Sequence, residues 1–443
     1  MGIPFYFASL TKSHAGIIET VKKDVPLEVD VFGVDFNCFI HRYLNDSDPI
    51  KSILDAFDHI LQTVCRAKYV YVSLDGLVPY AKIVNQRCRR MKAKEEGETF
   101  DRNQISPDTP FMRDLESALK ERFPYVIMSP TQEPGEGEHK LFLEIEKLPE
   151  DHRKTVCIYG LDADLILISL IHHKVSYPHG LHLLRETADF NDPKLAKAEF
   201  ATLSIWKLLS QLPMDILQYT ALSVLCFGND FMPSLAMFSL REDGYSRALQ
   251  MYELSGKPDL TTPEGRTIFL EYAATTELKL LRERVHLRRR PEEKAIFGKD
   301  SCLVSKKFAL HYLDGVSDVG PVVDSFWKTF HWTYHYFTQG TPLNWDWVYP
   351  YPEAPLITDI VEYEESPIPK SGKCKYTLRN QLCFILPEAS LKKTRRKVMF
   401  PDEIYTETRN PWMKKYDWET KPRISLPWNP QYELTRVELL SNS

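Results

Sequence analysis

The chain has 443 residues, 43% hydrophobic and 26% charged, with a formal net charge of −5. That composition excludes a disordered chain, leaves room for two or three domains around a sizeable core, and rules out coating nucleic acid through bulk charge, so any phosphate site must be a local patch. Its eight cysteines show neither a C-x-x-C pair nor zinc spacing, no leader opens it, no apolar run spans a membrane, and Tyr6 stands where a myristoylation motif wants Ser or Thr, so a reduced intracellular protein (cytoplasmic or nuclear) is expected.

Taken in chain order, Glu28–Asp35, Tyr69–Asp75, Val126–Ser129 and Thr155–Asp162 read as strands, being short apolar runs rich in β-branched residues. Helical stretches such as Ile53–Ala67 and Phe111–Phe123 lie between them. Over residues 1–187 this alternation predicts an α/β fold with a parallel sheet and crossover helices. Beyond the acidic stretch at Thr187–Pro193, residues 200–280 read mainly as helices, including Asp215–Phe227 and Pro263–Leu280. Arg282–Lys294 is a charge-dense linker, and TPLNWDWVYPYPEAP in the last third suits irregular chain packed onto another domain. The expected division is therefore a first region over 1–190 and a mainly helical second region over 200–443.

The strands end on, or soon before, acids. VFGVD ends on Asp35, VYVSLD on Asp75, and CIYGLDAD carries Asp162 and Asp164. Glu136 and Glu138 lie between the last two in PGEGEHK, and Asp230 follows in FGNDFMP. Singly, each is a helix cap, a turn or an exposed acidic loop. In open α/β sheets, however, the carboxyl ends of strands open onto one crevice, so these acids are expected to converge. Such a cluster repels itself unless cations sit among its members. Hard Mg²⁺ or Mn²⁺ ions prefer oxygen ligands and bridge carboxylates to phosphates, and two of them roughly 3.5–4 Å apart suit phosphodiester hydrolysis.

A basic segment follows Asp75. GLVPYAKIVNQRCRRMKAK holds Lys82, Arg87, Arg89, Arg90, Lys92 and Lys94 and no acid. As a helix it aligns Lys82, Gln86 and Arg89 with Arg90 beside them. A solvated basic helix is the plain reading. Against that, the segment leaves the strand that presents Asp75 and so begins beside the acidic crevice, where a terminal phosphate needs such groups. His41, six residues past Asp35, is either a core or capping ring or a surface on which a nucleobase stacks, and Trp332, Trp345 and Trp347 pose the same choice.

Together these segments resemble the Xrn-type 5′→3′ exoribonucleases. The resemblance is carried by MGIPFYF, VDFNCFIH, DGLVPYAKIVNQRCRR, NQISPDTPFM, PGEGEHK, YGLDADLILISL, LLRE and FGNDFMP in that order, then FHWTYHYFTQGTPLNWDWVYPYPEAPLITDI and QLCFILPEAS. It implies a PIN/flap-nuclease-like parallel sheet with flanking helices, followed by a mainly helical second region that packs on it, contributes Asp230 and closes the pocket. It also implies that Asp35, Asp75, Glu136, Glu138, Asp162, Asp164 and Asp230 hold one or two Mg²⁺ or Mn²⁺ ions. Lys82, Gln86, Arg89 and Arg90 fall on the 5′-monophosphate pocket, and His41 with Trp332 or Trp345 on the base stack. The expected substrate is single-stranded RNA with a 5′-monophosphate, degraded processively to nucleoside 5′-monophosphates by a monomer with no membrane attachment. Tyr80 stands where relatives place Arg, FGNDFMPSLAM lacks their His-Leu-Pro ending, and the length suggests a minimal form without accessory domains. A flap-type endonuclease and a non-catalytic RNA-binding scaffold on the same core are the alternatives.

Overall fold

A computed structural model describes residues 2–393 apart from 24, 96–100, 161, 178–179, 191–197, 289–312, 314–315 and 352. Its centre is a seven-stranded sheet of order β1-β7-β6-β5-β2-β3-β4. The strands are β1 Ile18–Thr20, β2 Leu27–Asp35, β3 Cys65–Ser73, β4 Ile127–Ser129, β5 Thr155–Tyr159, β6 Gly180–Glu186 and β7 Phe200–Ser204. From β6 to β4 every neighbouring pair is parallel, while β7 runs antiparallel to β6 and β1 antiparallel to β7. The expected parallel sheet is present, with an antiparallel edge added. Because β7 lies at 200–204, the sheet continues past the division expected near 190–200.

The helices of the first region are α1 Tyr6–Ser13, α2 Phe36–Ile40, α3 Pro49–Thr63, α4 Tyr80–Glu95, α5 Pro110–Arg122, α6 Gly137–Ile145 and α7 Asp164–Ser176. Their starts follow local chemistry. Asp48 caps α3 by accepting from the Lys51 amide at 3.1 Å, and Thr109 caps α5 through the Met112 amide. Proline occupies the first turn of both helices, where no amide hydrogen is missed. Helix α3 ends at Thr63 and β3 begins at Cys65, so the helix expected to reach Ala67 stops earlier. Further helices are α8 Ile205–Leu209, α9 Ile216–Phe227, α10 Gly244–Leu254 and α11 Pro263–Arg288, followed by the helices Gly320–Gln339 and Leu378–Ile385. The part of the charged linker beyond Arg288 lies outside the described residues. Among those described, no helix is long and apolar enough to cross a membrane.

Alternation along β2 sends Phe32 and Val34 to one face, where they pack with Phe57, Ile60 and Leu115 of α3 and α5. On the other face Val31, Ile158, Leu141 and Leu167 join one core with Tyr219, Leu222, Phe326 and Phe330. The helical second region thus shares its core with the sheet. A third cluster joins Val78, Tyr80, Ile83 and Val84 to Leu382, Phe384 and Ile385, which clamps α4 under the Leu378–Ile385 helix. Arg87, fully buried, ties the same two helices together by donating to the Phe384 carbonyl with its guanidinium over the Phe384 ring.

Candidate active site

Parallel strands β2, β3 and β5 end at the same edge of the sheet, and each end delivers acids. Asp35 is the last residue of β2 and the residue before α2. Asp75 follows β3 by two residues, and its amide donates to Asn37 Oδ1 at 3.3 Å. Asp75 Oδ1 in turn accepts from the Gly137 amide at 2.8 Å, which draws the PGEGEHK loop onto the end of β3. That approach needs glycine: a Cβ at position 137 would lie 2.9 Å from Asp35 Oδ1. Lys140 completes the tie, its ammonium donating to the carbonyls of Leu74 and Pro130 at 2.7 Å and of Glu133 at 3.1 Å.

Glu136 precedes the first residue of α6 and Glu138 lies in its first turn, while Asp164 opens α7. Asp230 arrives from the turn after α9, where Asn229 Oδ1 accepts the Phe231 amide at 2.9 Å. A cavity of about 270 Å³ is lined by Asp35, Asp75, Glu136, Glu138 and Asp162, together with Asn37, Cys38, His41, Lys82, Gln86, Arg90, Ile105 and Pro107. Asp230 reaches Lys82 from behind this lining, while the Asp164 carboxylate lies against Gly2 and accepts from the Leu165 amide at 3.1 Å. Five of the seven expected acids therefore face one cleft, and Asp230 joins it through the Lys82 ammonium.

Lys82 is the pivot of the arrangement. Its side chain is 7% exposed and pairs with both Glu136 and Asp230, the latter at 3.0 Å. Burial alone would lower its pKa, but Glu136, Asp230, Glu138 and Asp164 outweigh that and hold it well above the ordinary lysine range. Crowding acts the other way on Asp35, Glu138 and Asp164. Asp35 is pushed well up by burial and then by Asp75 and Asp162, and Glu138 by burial and then by Glu136 and Asp164. Asp164 is raised to about 7 by burial and by Asp162.

Such a cluster matches hard divalent cations in its donor set, all carboxylate oxygen. Asp35 Oδ1 is buried with no hydrogen-bond partner among the described residues, so it has an unused lone pair inside a repulsive group. No three His, Cys, Asp or Glu side chains among the described residues surround a common point closely enough to hold an ion. Lys82 accounts for part of this, since its ammonium draws Glu136 and Asp230 to itself.

On the basic side, α4 presents Lys82, Gln86 and Arg90 to the cleft. Gln86 Oε1 is buried without a partner among the described residues, and Arg90 Nη2 donates to the Ile105 carbonyl at 3.1 Å. The side chains of Arg89, Lys92 and Lys94 lie outside the described residues. Lys82, expected in the phosphate pocket, is buried and paired with Glu136 and Asp230. His41 lines the cleft beside Arg42, which Glu186 holds at 3.0 Å.

The tryptophans separate. Trp332 is 0% exposed, packs against Phe231 and Tyr336, and donates from Nε1 to the Asn344 carbonyl at 2.7 Å. A ring enclosed in this way offers no face to a base, so Trp332 is corrected to a packing residue. Trp345 is half-buried, and its carbonyl accepts from the Tyr80 amide at 2.9 Å. Sequence reasoning also missed Tyr336, whose hydroxyl donates to Glu136 Oε1 at 2.8 Å. The four-residue spacing of Trp332 and Tyr336 was its one visible signal.

Comparison with known families decides the class. The model of the XRN 5′-3′ exonuclease N-terminus matches residues 1–99 and 91–187, and the Xrn1 helical domain matches residues 304–399. The chain belongs to the Xrn family. Among relatives, 5′-3′ exoribonuclease 1 of Saccharomyces cerevisiae is 28% identical over 57% of this chain and 20% of its own length. The human 5′-3′ exoribonuclease 1 is 33% identical over 44% of this chain and 14% of its own. The Arabidopsis thaliana 5′-3′ exoribonuclease 2 is 24% identical over 68% and 42% respectively. The chain thus spans less than half the length of these Xrn relatives. Among solved structures, the catalytic core of Rad2 in complex with DNA aligns at a TM-score of 0.38 and 15% identity, covering 77% of this chain and 96% of that one.

Proposed function

We propose that this Xrn-family chain is a 5′→3′ exoribonuclease that degrades single-stranded RNA bearing a 5′-monophosphate and releases nucleoside 5′-monophosphates. The observation that carries the reading is the shared cavity, in which acids from three parallel strand ends face the polar side chains of α4. Binding alone has no use for a carboxylate cluster whose members raise one another's pKa.

Asp35, Asp75, Glu136, Glu138, Asp162, Asp164 and Asp230 would hold one or two Mg²⁺ or Mn²⁺ ions, and the bound metal supplies an activated water and neutralises charge at the phosphodiester. The chain's own groups do the rest. Gln86, Arg90 and Arg89 grip the terminal phosphate, and Lys82 joins that grip to the acids through Glu136 and Asp230. His41 and Trp345 stack on the leading bases. Each cleavage exposes a new 5′-phosphate of the same shape, so the next nucleotide can enter without release of the strand. A cap or triphosphate is too bulky or too highly charged for a pocket built around one phosphate.

The test is digestion of 5′-phosphorylated single-stranded RNA in Mg²⁺ with analysis of the products. Mononucleotides support the proposal, internal fragments would point to a flap-type endonuclease, and intact RNA to a binding scaffold. Asp162→Asn is expected to abolish hydrolysis and leave RNA binding intact.

A further inference from the structure

We infer that Tyr336 is a positioning residue, reaching from the second region to fix the Glu136 carboxylate in the orientation the cleft uses. The inference takes its purpose from the reaction proposed above, but its geometry stands apart from it. Glu136 occupies the residue before α6, a position from which short side chains such as Asp, Asn, Ser and Thr accept from the first free amides of the helix. Its side chain makes no such cap bond. Instead both oxygens are taken by donors from elsewhere: Oε1 accepts from the Tyr336 hydroxyl at 2.8 Å, and Oε2 faces the Lys82 ammonium. The two donors lie on different elements, one on α4 and one on the Gly320–Gln339 helix.

The phenol is well placed to orient a partner, because its own position is overdetermined. Tyr336 is 1% exposed. Its ring meets Phe231 at 5.5 Å and 79°, Trp332 at 5.2 Å, and His139 at 4.5 Å. Trp332 is in turn fixed by its bond to the Asn344 carbonyl. Phe231 directly follows Asp230, so one aromatic block supports acids from both halves of the chain. A group that orients a reacting carboxylate while touching neither substrate nor metal acts through geometry, and loss of such a partner commonly costs 10–100-fold in metal affinity or turnover.

The test is Tyr336→Phe in the full chain, which keeps the ring and its packing and deletes one hydroxyl. Mn²⁺ binding is titrated by electron paramagnetic resonance without RNA, and kcat and KM are measured on 5′-phosphorylated single-stranded RNA. Mn²⁺ affinity is expected to weaken about tenfold and kcat at saturating metal to fall by about the same factor, with KM unchanged. In a Glu136→Ala background, which leaves no acceptor for the phenol, the same substitution is expected to cost nothing further, since its effect passes through that carboxylate. Wild-type Mn²⁺ affinity and kcat in Tyr336→Phe, or an equal loss in both backgrounds, overturns the inference. The melting temperatures of the four chains need neither metal nor RNA, and strict additivity between the two substitutions would refute the contact itself. If the wild-type chain releases no mononucleotides, the exoribonuclease reading fails alone, and the titration and melting data still decide the role of Tyr336.

Discussion

Gly2 lies against Asp164 so closely that a Cβ at position 2 would fall 2.4 Å from the Asp164 carboxyl carbon and 2.7 Å from its amide nitrogen. The backbone there has φ +41°, which a side chain makes costly by roughly 1–2 kcal/mol. Gly2→Ala must therefore lift the start of the chain away or push Asp164 off its place. Ile3 and Tyr6 are buried in the main core, so lifting exposes apolar surface, and the melting temperature is expected to fall by several degrees. Turnover on 5′-phosphorylated RNA is expected to fall about tenfold or more, as misplacement near reacting groups does. Parallel melting and rate measurements separate the two, and unchanged turnover would show that the Gly2–Asp164 contact has no bearing on the cleft.

Glu136 and Asp230 share the Lys82 ammonium, so Lys82→Met, of similar volume, removes a charge partner from two buried carboxylates. Removing one partner from a buried pair costs about 3–5 kcal/mol. The deficit is expected in urea unfolding near pH 8 and should shrink near pH 5, where the stranded acids take up protons and no longer need the ammonium. A loss independent of pH would mean that packing, not charge, is what Lys82 supplies.

The same acids set a pH dependence for the unmodified chain. Asp164 titrates near 3.8 when unfolded and at about 7 when folded, the rise coming from burial and Asp162. Between those values the folded state binds more protons than the unfolded state, so stability falls as pH rises from about 4 to about 7 and levels off above. Asp30, held down to about 2 chiefly by its bond to Lys68, acts only below this window. In chelator the melting temperature is expected to be higher at pH 5 than at pH 7.5, and Asp164→Asn should flatten the difference. Millimolar Mg²⁺ should offset the loss at pH 7.5 by binding the folded state. A chain equally stable at both pH values in chelator contradicts the crowding of these carboxylates.

How far the sequence foretold this site follows from which interactions are local. Asp35 and Asp75 were legible because a β-branched apolar run that stops on an acid has only one place to put it, and the parallel sheet gathers those places. Strands β1 and β7 escaped notice because three residues of IET and five of FATLS carry no distinctive pattern and gain their role from pairing across about 180 residues of chain. The start of β3 was hidden by CRAKY, whose exposed Arg66 and Lys68 read as the end of a helix. That Lys82 is buried could not be read at all, since lysine is ordinarily solvated and only three distant carboxylate-bearing turns make its burial tolerable. The bond of Tyr336 to Glu136 was hidden for the same reason, its partner lying 200 residues away.

Trp332 and Trp345 make a final contrast, because one sequence segment offered both for the same role. Trp332 has no exposed surface and a satisfied indole N–H, so Trp332→Ala removes a large core side chain and leaves the Asn344 carbonyl unpaired. Such truncations cost about 3–5 kcal/mol, and the variant is expected to melt well below the parent. Tyr336 and Phe231 would lose the ring they pack on, so turnover should fall with it. Trp345 retains an exposed part, and its backbone contact with Tyr80 survives any side-chain change. Trp345→Ala is therefore expected to leave the melting temperature within a few degrees of the parent while weakening single-stranded RNA binding by about 1–3 kcal/mol, the worth of one stacked base. Fluorescence anisotropy with a 5′-phosphorylated oligonucleotide measures that loss. Undiminished affinity in Trp345→Ala would leave His41 to stack on the leading base without an indole partner.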